Sequence, residues 1–297
     1  MALNAICRQT PIFRTPPINP HPQPHPSTRL LEAAEATFFT TQITSARTLH
    51  PNTGFTTAKF NSGIAGISKR QFDWKLNRVA GLGMDGPVLE TDIDRIEAMF
   101  AKVGMAPYID LAPCAHPSAL QILRRRGYNV CGEVNVHTLL LRDYHAESEG
   151  REHVGIEVKR VKGEEDEKHF VDSSIAGFES NGRGVELLRT LAHSAILYPN
   201  AETYVARIDG RVAGGAGLVF IDTPLGRVAE VYISSTVPEY RGRGVQTALL
   251  RRRLLDAKRS GVEIVVVNTR PGTPSARNVG RLGFRMDYTR ETLSRRR

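Results

Sequence analysis

An α/β fold built on a mixed sheet is what this sequence predicts, and three observations carry the prediction. From Ile156 onward, short alternating apolar runs and longer runs of helical period take turns along the chain. Asp209-Gly210 stands between two apolar runs, 204–208 and 212–220, as the turn of an antiparallel hairpin does. Residues 264–267 form a continuous aliphatic run, the pattern of a strand covered on both faces. A hairpin and a doubly covered strand in one stretch of chain call for a sheet of mixed direction. At 297 residues, 40% of them hydrophobic, the chain has room for one large domain or two ordinary ones.

Residues 1–28 contain seven prolines, which forbid a helix and predict a disordered tail. A helix is expected over 30–39, and the Thr-, Gly- and Ser-rich stretch 40–73 has no assignable pattern. Residues 76–79 read as a short strand ending in Gly81-Leu82-Gly83. Over 90–103, Ile93, Ile96, Met99 and Phe100 fall on one side of a helix with Thr91 as N-cap. A strand over 108–111, a helix over 117–126 closed by Gly127, and a strand over 130–141 follow. The polar run 143–153 predicts a linker between a first domain, 29–142, and a second, 154–297. There, strands are expected over 156–161 and 228–234 and helices over 164–175 and 185–193. A helix from 244 to 259 and a shorter one over 275–282, ended by Gly283, precede a last strand beginning at 284. Pro117-Ser118-Ala119 leading to Gly127-Tyr128 is echoed by Pro274-Ser275-Ala276 leading to Gly283-Phe284, as two related halves would do.

Composition excludes several classes. Three cysteines, Cys7, Cys114 and Cys131, cannot build a disulfide framework and point to a reducing, cytoplasmic setting. Cys114 and Cys131 are expected to be buried small apolar residues. The tail carries Arg8 and Arg14 without an acidic residue, as an organelle presequence would, but its prolines oppose the amphipathic helix such sequences form. No apolar run approaches the ~18–20 residues of a membrane helix, and no membrane partner is expected. Nine histidines are scattered without H-E-x-x-H or C-x-x-C spacing, so no metal site is expected. From Arg151 on, 25 basic residues face 18 acidic ones, which suits a polyanion or a phosphate-bearing cofactor. The arginine runs 251–253 and 295–297 read as solvated surface, and with few aromatics beside them no nucleic-acid partner is expected.

Chemistry concentrates between Val228 and Phe284. A strand runs into Arg241-Gly242-Arg243-Gly244-Val245-Gln246, which opens a helix. Glycines and the N–H groups of a helix N-terminus make such a turn an anion cradle. It lacks the Gly-Lys-Ser/Thr of a nucleotide-hydrolysing loop, and Thr247 stands where a dinucleotide fingerprint needs its third glycine.

The whole segment, strand, Val237 to Gly244, helix, buried strand, Ser275-Ala276-Arg277-Asn278 and Gly283-Phe284, resembles the acyl-CoA-binding core of the GNAT superfamily of N-acetyltransferases. Arg241 and Gly244 match that family's R/Q-x-x-G-x-G/A loop, while Gln246 takes the final Gly/Ala place. The resemblance is specific over 155–297. It extends to the first half, where 76–83 and Arg125-Arg126-Gly127-Tyr128 look like the degenerate N-terminal repeat of tandem GNAT proteins, without a CoA site. It implies a GNAT-like acyl-CoA N-acyltransferase fold in two tandem domains, acetyl-CoA as co-substrate, and transfer to a primary amine. The alternative is a non-catalytic acyl-CoA-binding or regulatory protein.

Residue by residue, the resemblance implies that the amides of Gly242, Arg243, Gly244, Val245, Gln246 and Thr247 cradle the CoA pyrophosphate. Val237 stands where the family's backbone pairs with pantetheine, and Asn278 where a polar side chain reaches the CoA arm, unless it is plain helix surface. Arg241 and Arg243 add charge for the phosphates or are solvated. Glu230, eleven residues before Arg241, stands where histone-type members carry their general base. An ammonium must lose its proton before it attacks a thioester, and a buried carboxyl of raised pKa suits that work. The other reading of Glu230 is a salt-bridged glutamate on the solvent face. The family's acid tyrosine is replaced by Val279, which leaves Tyr288 or water to protonate the thiolate; Tyr288 also reads as a packed aromatic.

Overall fold

The structure, a computed structural model, describes residues 26–60, 63–145, 155–179 and 182–295. The expected tail up to residue 25 and the expected linker from 146 to 153 lie outside the described residues.

Helix α1 (Pro26–Leu49) extends ten residues past the C-terminal end its sequence pattern suggests. Pro26 opens it, at a position where the missing N–H costs nothing. Its threonines obscure the helical period yet are accommodated. The Thr37 and Thr40 hydroxyls donate to the carbonyls of Ala33 and Ala36, four residues back, at 2.8 and 2.9 Å. The unassigned stretch forms the hairpin β1 (Thr56–Phe60) and β2 (Gly63–Ile67), a short 3₁₀ turn, and α2 (Asp73–Leu76). Next come β3 (Arg78–Ala80), α3 (Glu90–Ala101), β4 (Ile109–Leu111), α4 (Pro117–Arg125) and β5 (Asn129–Leu140). The N-cap of α3 is Leu89 and not Thr91: the Asp92 carboxylate accepts the Leu89 N–H at 3.0 Å.

The second half holds β6 (Ile156–Arg160), α5 (Gly163–Glu179), α6 (Val185–Leu197), β7 (Ala201–Ile208) and β8 (Arg211–Thr223). It continues with β9 (Gly226–Thr236), α7 (Val245–Arg259), β10 (Ile264–Thr269), α8 (Pro274–Arg281) and β11 (Arg285–Ser294). The β7–β8 turn is the expected one, with Asp209 and Gly210 both left-handed (φ 50° and 75°).

All eleven strands form one mixed sheet in the order β1-β2-β3-β4-β11-β5-β10-β9-β8-β7-β6. Outward from the β11–β5 centre, the series β4, β3, β2, β1 mirrors β10, β9, β8, β7. The parallel pairs are β3–β4 and β9–β10, one on each side. The last strand of each half is exchanged: β5 lies along β10, from Ile264↔Leu140 to Thr269↔Asn135, and β11 lies along β4.

Helices cover both faces. Leu249 and Leu254 of α7 pack with Val265, Val267 and Phe284 on one face, where Ile93, Phe100 and Ile122 of α3 and α4 pack over Val79. On the opposite face α1, α5 and α6 bring Phe38, Phe170 and Ala195 against Val219 and Val266. Farther along α1, Phe39 and Ile43 meet Phe72 and Leu76 of the first half and Leu187 of α6. Helix α1 therefore bridges both halves of the sheet.

Two expectations about burial fail. Arg253 is buried, its Nε donating to the Leu249 carbonyl and its Nη1 to the Gly217 carbonyl, both at 3.0 Å. Burial pushes its pKa down to about 9. Cys131 is exposed and Cys114 half-buried, so neither is a core residue.

Candidate active site

The turn between β9 and α7 is shaped by glycines. Gly242 and Gly244 hold φ of +76° and +88°, and a Cβ at Gly242 would meet nothing within 4 Å. The first bond of the α7 ladder runs from the Ala248 N–H to the Gly244 carbonyl at 3.0 Å. The N–H groups of Val245, Gln246 and Thr247 thus precede the ladder and point out of the helix end. Gln246 Nε2 donates to Thr236 Oγ1 at 2.8 Å, tying the start of α7 to the end of β9. Arg241 Nη2 donates to the Gly177 carbonyl of α5 at 3.1 Å, and the Arg243 guanidinium lies 5.4 Å from the Tyr240 ring centre. The Val237 N–H is taken by the Ala213 carbonyl, and its own carbonyl accepts from Tyr240, each at 3.0 Å. Val237 therefore closes the base of the turn.

Upstream of that turn the sheet opens. Registered pairing of β9 with β10 ends at Val266↔Glu230, although β9 runs on to Thr236 and β10 to Thr269. A bulge at Ile233–Ser234, with Ile233 at φ +45°, shifts β9 against β8 and bends it there. Glu230 is the last residue of β9 in register before the strands part.

Glu230 is 6% exposed and lies on the face covered by α1, which excludes the solvent-face reading. Asn268 of β10 donates from its single Nδ2 to Glu230 Oε1 at 3.1 Å and to Glu35 Oε2 of α1 at 2.9 Å. Glu35 also accepts from Arg78 Nη2 at 2.7 Å and Arg290 Nη1 at 3.1 Å. Arg290 Nε donates to Glu32 at 2.6 Å, and Arg78 Nη1 to Asp110 at 2.7 Å. Arg78, Asp110, Arg290, Asn268 and Glu230 form a polar row across β3, β4, β11, β10 and β9, roofed by Glu32 and Glu35. Burial would raise Glu35, but Arg290 and Arg78 overrule it and bring its pKa down to about 2. Burial and the neighbouring Glu35 charge push Glu230 up to about 8.

Tyr288 is on β11, and its hydroxyl donates to Glu32 at 2.5 Å. Burial and the Glu32 charge raise its pKa far above the usual phenol value, so its proton stays bound to that pair. An acid aimed at a leaving group is not what this geometry provides. Val279 is a core residue 4% exposed, and Asn278 is half-buried on α8.

Sequence reasoning misses Glu35, Asn268, Arg78 and Arg290. A glutamate on a helix and an arginine on a strand carry no local signal, since sheet topology alone brings them to Glu230. A cavity of about 960 Å³ is lined by Trp74, Tyr108, Cys131, Glu133, Arg270 and Thr292 among others, and the Thr292 hydroxyl donates to Asp110 at 2.6 Å. Among the described residues no three His, Cys, Asp or Glu side chains gather as a metal site requires. No described helix is long and apolar enough to cross a membrane.

Residues 169–284 match the acetyltransferase (GNAT) family. No curated protein matches the sequence. Among solved structures, a GCN5-related N-acetyltransferase from Kribbella flavida superposes with a TM-score of 0.62 at 16% identity, covering 89% of this chain and 95% of that one. One from Sphaerobacter thermophilus gives a TM-score of 0.54 at 14% identity, over 92% and 94% of the two chains. A tandem GNAT protein from the clavulanic acid biosynthesis pathway gives 0.53 at 16% identity, over 69% and 68%. At such identities these likenesses establish the fold. The family match covers the β9–α7 turn, the β9–β10 opening and Glu230, so this chain has the GNAT acyl-CoA N-acyltransferase fold, and its residues 169–284 match the acetyltransferase (GNAT) family.

Proposed function

We propose that the protein transfers an acetyl group from acetyl-CoA to a primary amine, with Glu230 as the base. The observation that carries this reading is the position of Glu230 at the end of β9–β10 pairing, on the strand that leads into the glycine turn. Acetyl-CoA supplies an activated acyl thioester. The open Gly242 site and the advance N–H groups of Val245, Gln246 and Thr247 suit its pyrophosphate. The β9 backbone over 231–236, freed from β10, offers N–H groups to the thioester carbonyl. Glu230 takes the proton the ammonium must lose, directly or through water, as the C–N bond forms and the C–S bond breaks. With Val279 in the core and Tyr288 bound to Glu32, water relays the second proton of the attacking nitrogen to the leaving thiolate.

The mirror order of the sheet supports a first half, 29–142, that is a degenerate repeat of the second, 154–297. Its counterpart of the glycine turn, 81–89, has no R-x-x-G-x-G and binds no CoA. Release of free thiol from acetyl-CoA with a panel of amines tests the reading. Amine-dependent release supports it, and acetyl-CoA binding without release with any amine would favour a CoA-binding protein.

A further inference from the structure

We propose that Asn268 and Glu35 are positioning residues for Glu230: the Asn268 amide fixes the Glu230 carboxyl at the opening of the sheet, and the Glu35 carboxylate, clamped by two guanidiniums, stands beside it as a fixed negative charge. Their roles rest on the acetyl-transfer reading, in which Glu230 is the base, while the coupling of the three side chains stands on geometry. Asn268 lies two residues past Val266, where β9–β10 pairing ends, so its side chain bridges strands that no ladder bond joins. Its Oδ1 accepts from Arg290 Nη1 at 3.2 Å. That bond turns its Nδ2 to the carboxylates, donating to Glu230 Oε1 at 3.1 Å and Glu35 Oε2 at 2.9 Å. One shared nitrogen keeps the two carboxyls within about 6 Å, the range over which a like charge disfavours ionisation. Among the described residues no second hydrogen bond holds Glu230, so this amide sets which oxygen is tied down and which is left to take a proton.

Glu35 is buried, and it can give way neither by rotating nor by taking up a proton. Arg78 Nη2 holds its Oε1 at 2.7 Å, and Arg290 Nη1 holds its Oε2 at 3.1 Å. Of the two carboxyls, Glu230 is therefore the one that carries a proton. The other groups around Glu230 do not take the place of Glu35. Arg290 of β11, Arg78 of β3 and Lys75 of α2 are cations. Tyr198 after α6 and Tyr232 of β9 are phenols whose protons burial keeps in place. Glu32 of α1 faces Arg290 and Tyr288, and Asp110 of β4 faces Arg78. Among the described residues, Glu35 is the one ionised carboxylate that shares a donor with Glu230. Both α1 and β3 belong to the first half, so a half without the glycine turn acts on the base of the other. A base held protonated until the pH nears 8 takes the ammonium proton with more driving force than an ordinary carboxylate.

Infrared spectra of the full-length protein, recorded from pH 5 to 10, read Glu230 directly. Ordinary carboxyls are ionised above about pH 6, so a carboxylic-acid band that survives there and vanishes in Glu230→Gln belongs to Glu230. Glu35→Gln keeps the side chain's shape and removes its charge, and the midpoint of the band should fall by about one pH unit or more. Asn268→Leu keeps the volume and removes the donor. Its midpoint should rise, and its kcat should drop about ten-fold at an unchanged KM for acetyl-CoA. If Glu35→Gln does not fold, the rise in Asn268→Leu decides: its presence supports the proposal and its absence overturns it. In thiol release with acetyl-CoA and the most active amine of the panel, Glu35→Gln should retain at pH 6 about ten-fold more of its plateau kcat/KM than wild type does. Side chains that merely pack would lower the melting temperature on substitution and leave both midpoints in place. Unshifted midpoints, shifts of the same sign, or a wild-type band already lost by pH 6 would each overturn the proposal. Opposite shifts in a protein that releases thiol with no amine would remove the reaction and keep the coupling.

Discussion

Under α1 the carboxylates of Glu32, Glu35, Asp110 and Glu230 face the guanidiniums of Arg78 and Arg290, with the Lys75 ammonium nearby. Fully ionised, the group would hold one negative charge too many in a buried site. A single retained proton removes the excess, and it resides on Glu230, which has no guanidinium partner of its own. Its folded pKa, about 8, lies above the ordinary carboxyl value of 4.5, so its favourable contribution is complete below 4.5 and is lost as pH rises toward 8. Glu35 behaves oppositely: its contribution is complete above 4.5 and is lost as pH falls toward 2. Glu230→Gln should therefore gain on wild type between pH 5 and pH 9, by a few kcal/mol in denaturant unfolding. Equal destabilisation at both pH values would contradict a buried carboxyl of raised pKa. Tyr288→Phe should lose about 1–3 kcal/mol of stability, since Glu32 loses a buried donor, with kcat changed only a few-fold. A hundred-fold fall in kcat would restore Tyr288 as an acid. Glu230 was legible from its strand and its distance to Arg241. Its raised pKa was expected from burial, but Glu35, the second cause, lies in another element and was invisible.

At the scale of elements, the β9–α7 turn was the most legible feature, because only glycine takes positive φ freely and the two glycines fall where the helix begins. The β9–β10 opening was not legible, since a bulge at Ile233 leaves no mark in an apolar run. Helix α1 was underestimated because threonines that bond to their own helix look like a loop in sequence. Gly244→Glu places a side chain and a negative charge at φ +88°, in front of the free N–H groups of α7. Acetyl-CoA affinity measured by calorimetry should fall at least a hundred-fold in the folded variant, with about 1–2 kcal/mol of backbone strain. Unchanged affinity would place the pyrophosphate elsewhere.

Over the whole molecule, the echo between Pro117 and Pro274 is the sequence sign of two related halves, and in the fold each proline opens a helix, α4 and α8. The strand exchange could not be read, because β5 and β11 have the same local pattern whichever neighbour they take. With β5 completing the second half and β11 the first, each half expressed alone should fail to give a cooperative unfolding transition, whereas the pair co-expressed should. Calorimetry should count one acetyl-CoA per chain, and two would contradict a silent first half. The central claim, that Glu230 takes the amine's proton, is tested most directly by kcat/KM for Glu230→Gln against wild type from pH 6 to 10. Wild-type activity should rise through pH 8, where half of Glu230 is ionised, and level off above it. The variant should fall ~10²–10⁴-fold where Glu230 is ionised, and the gap should narrow as the free amine deprotonates unaided. A variant as active as wild type at pH 7, with the same pH profile, would contradict it.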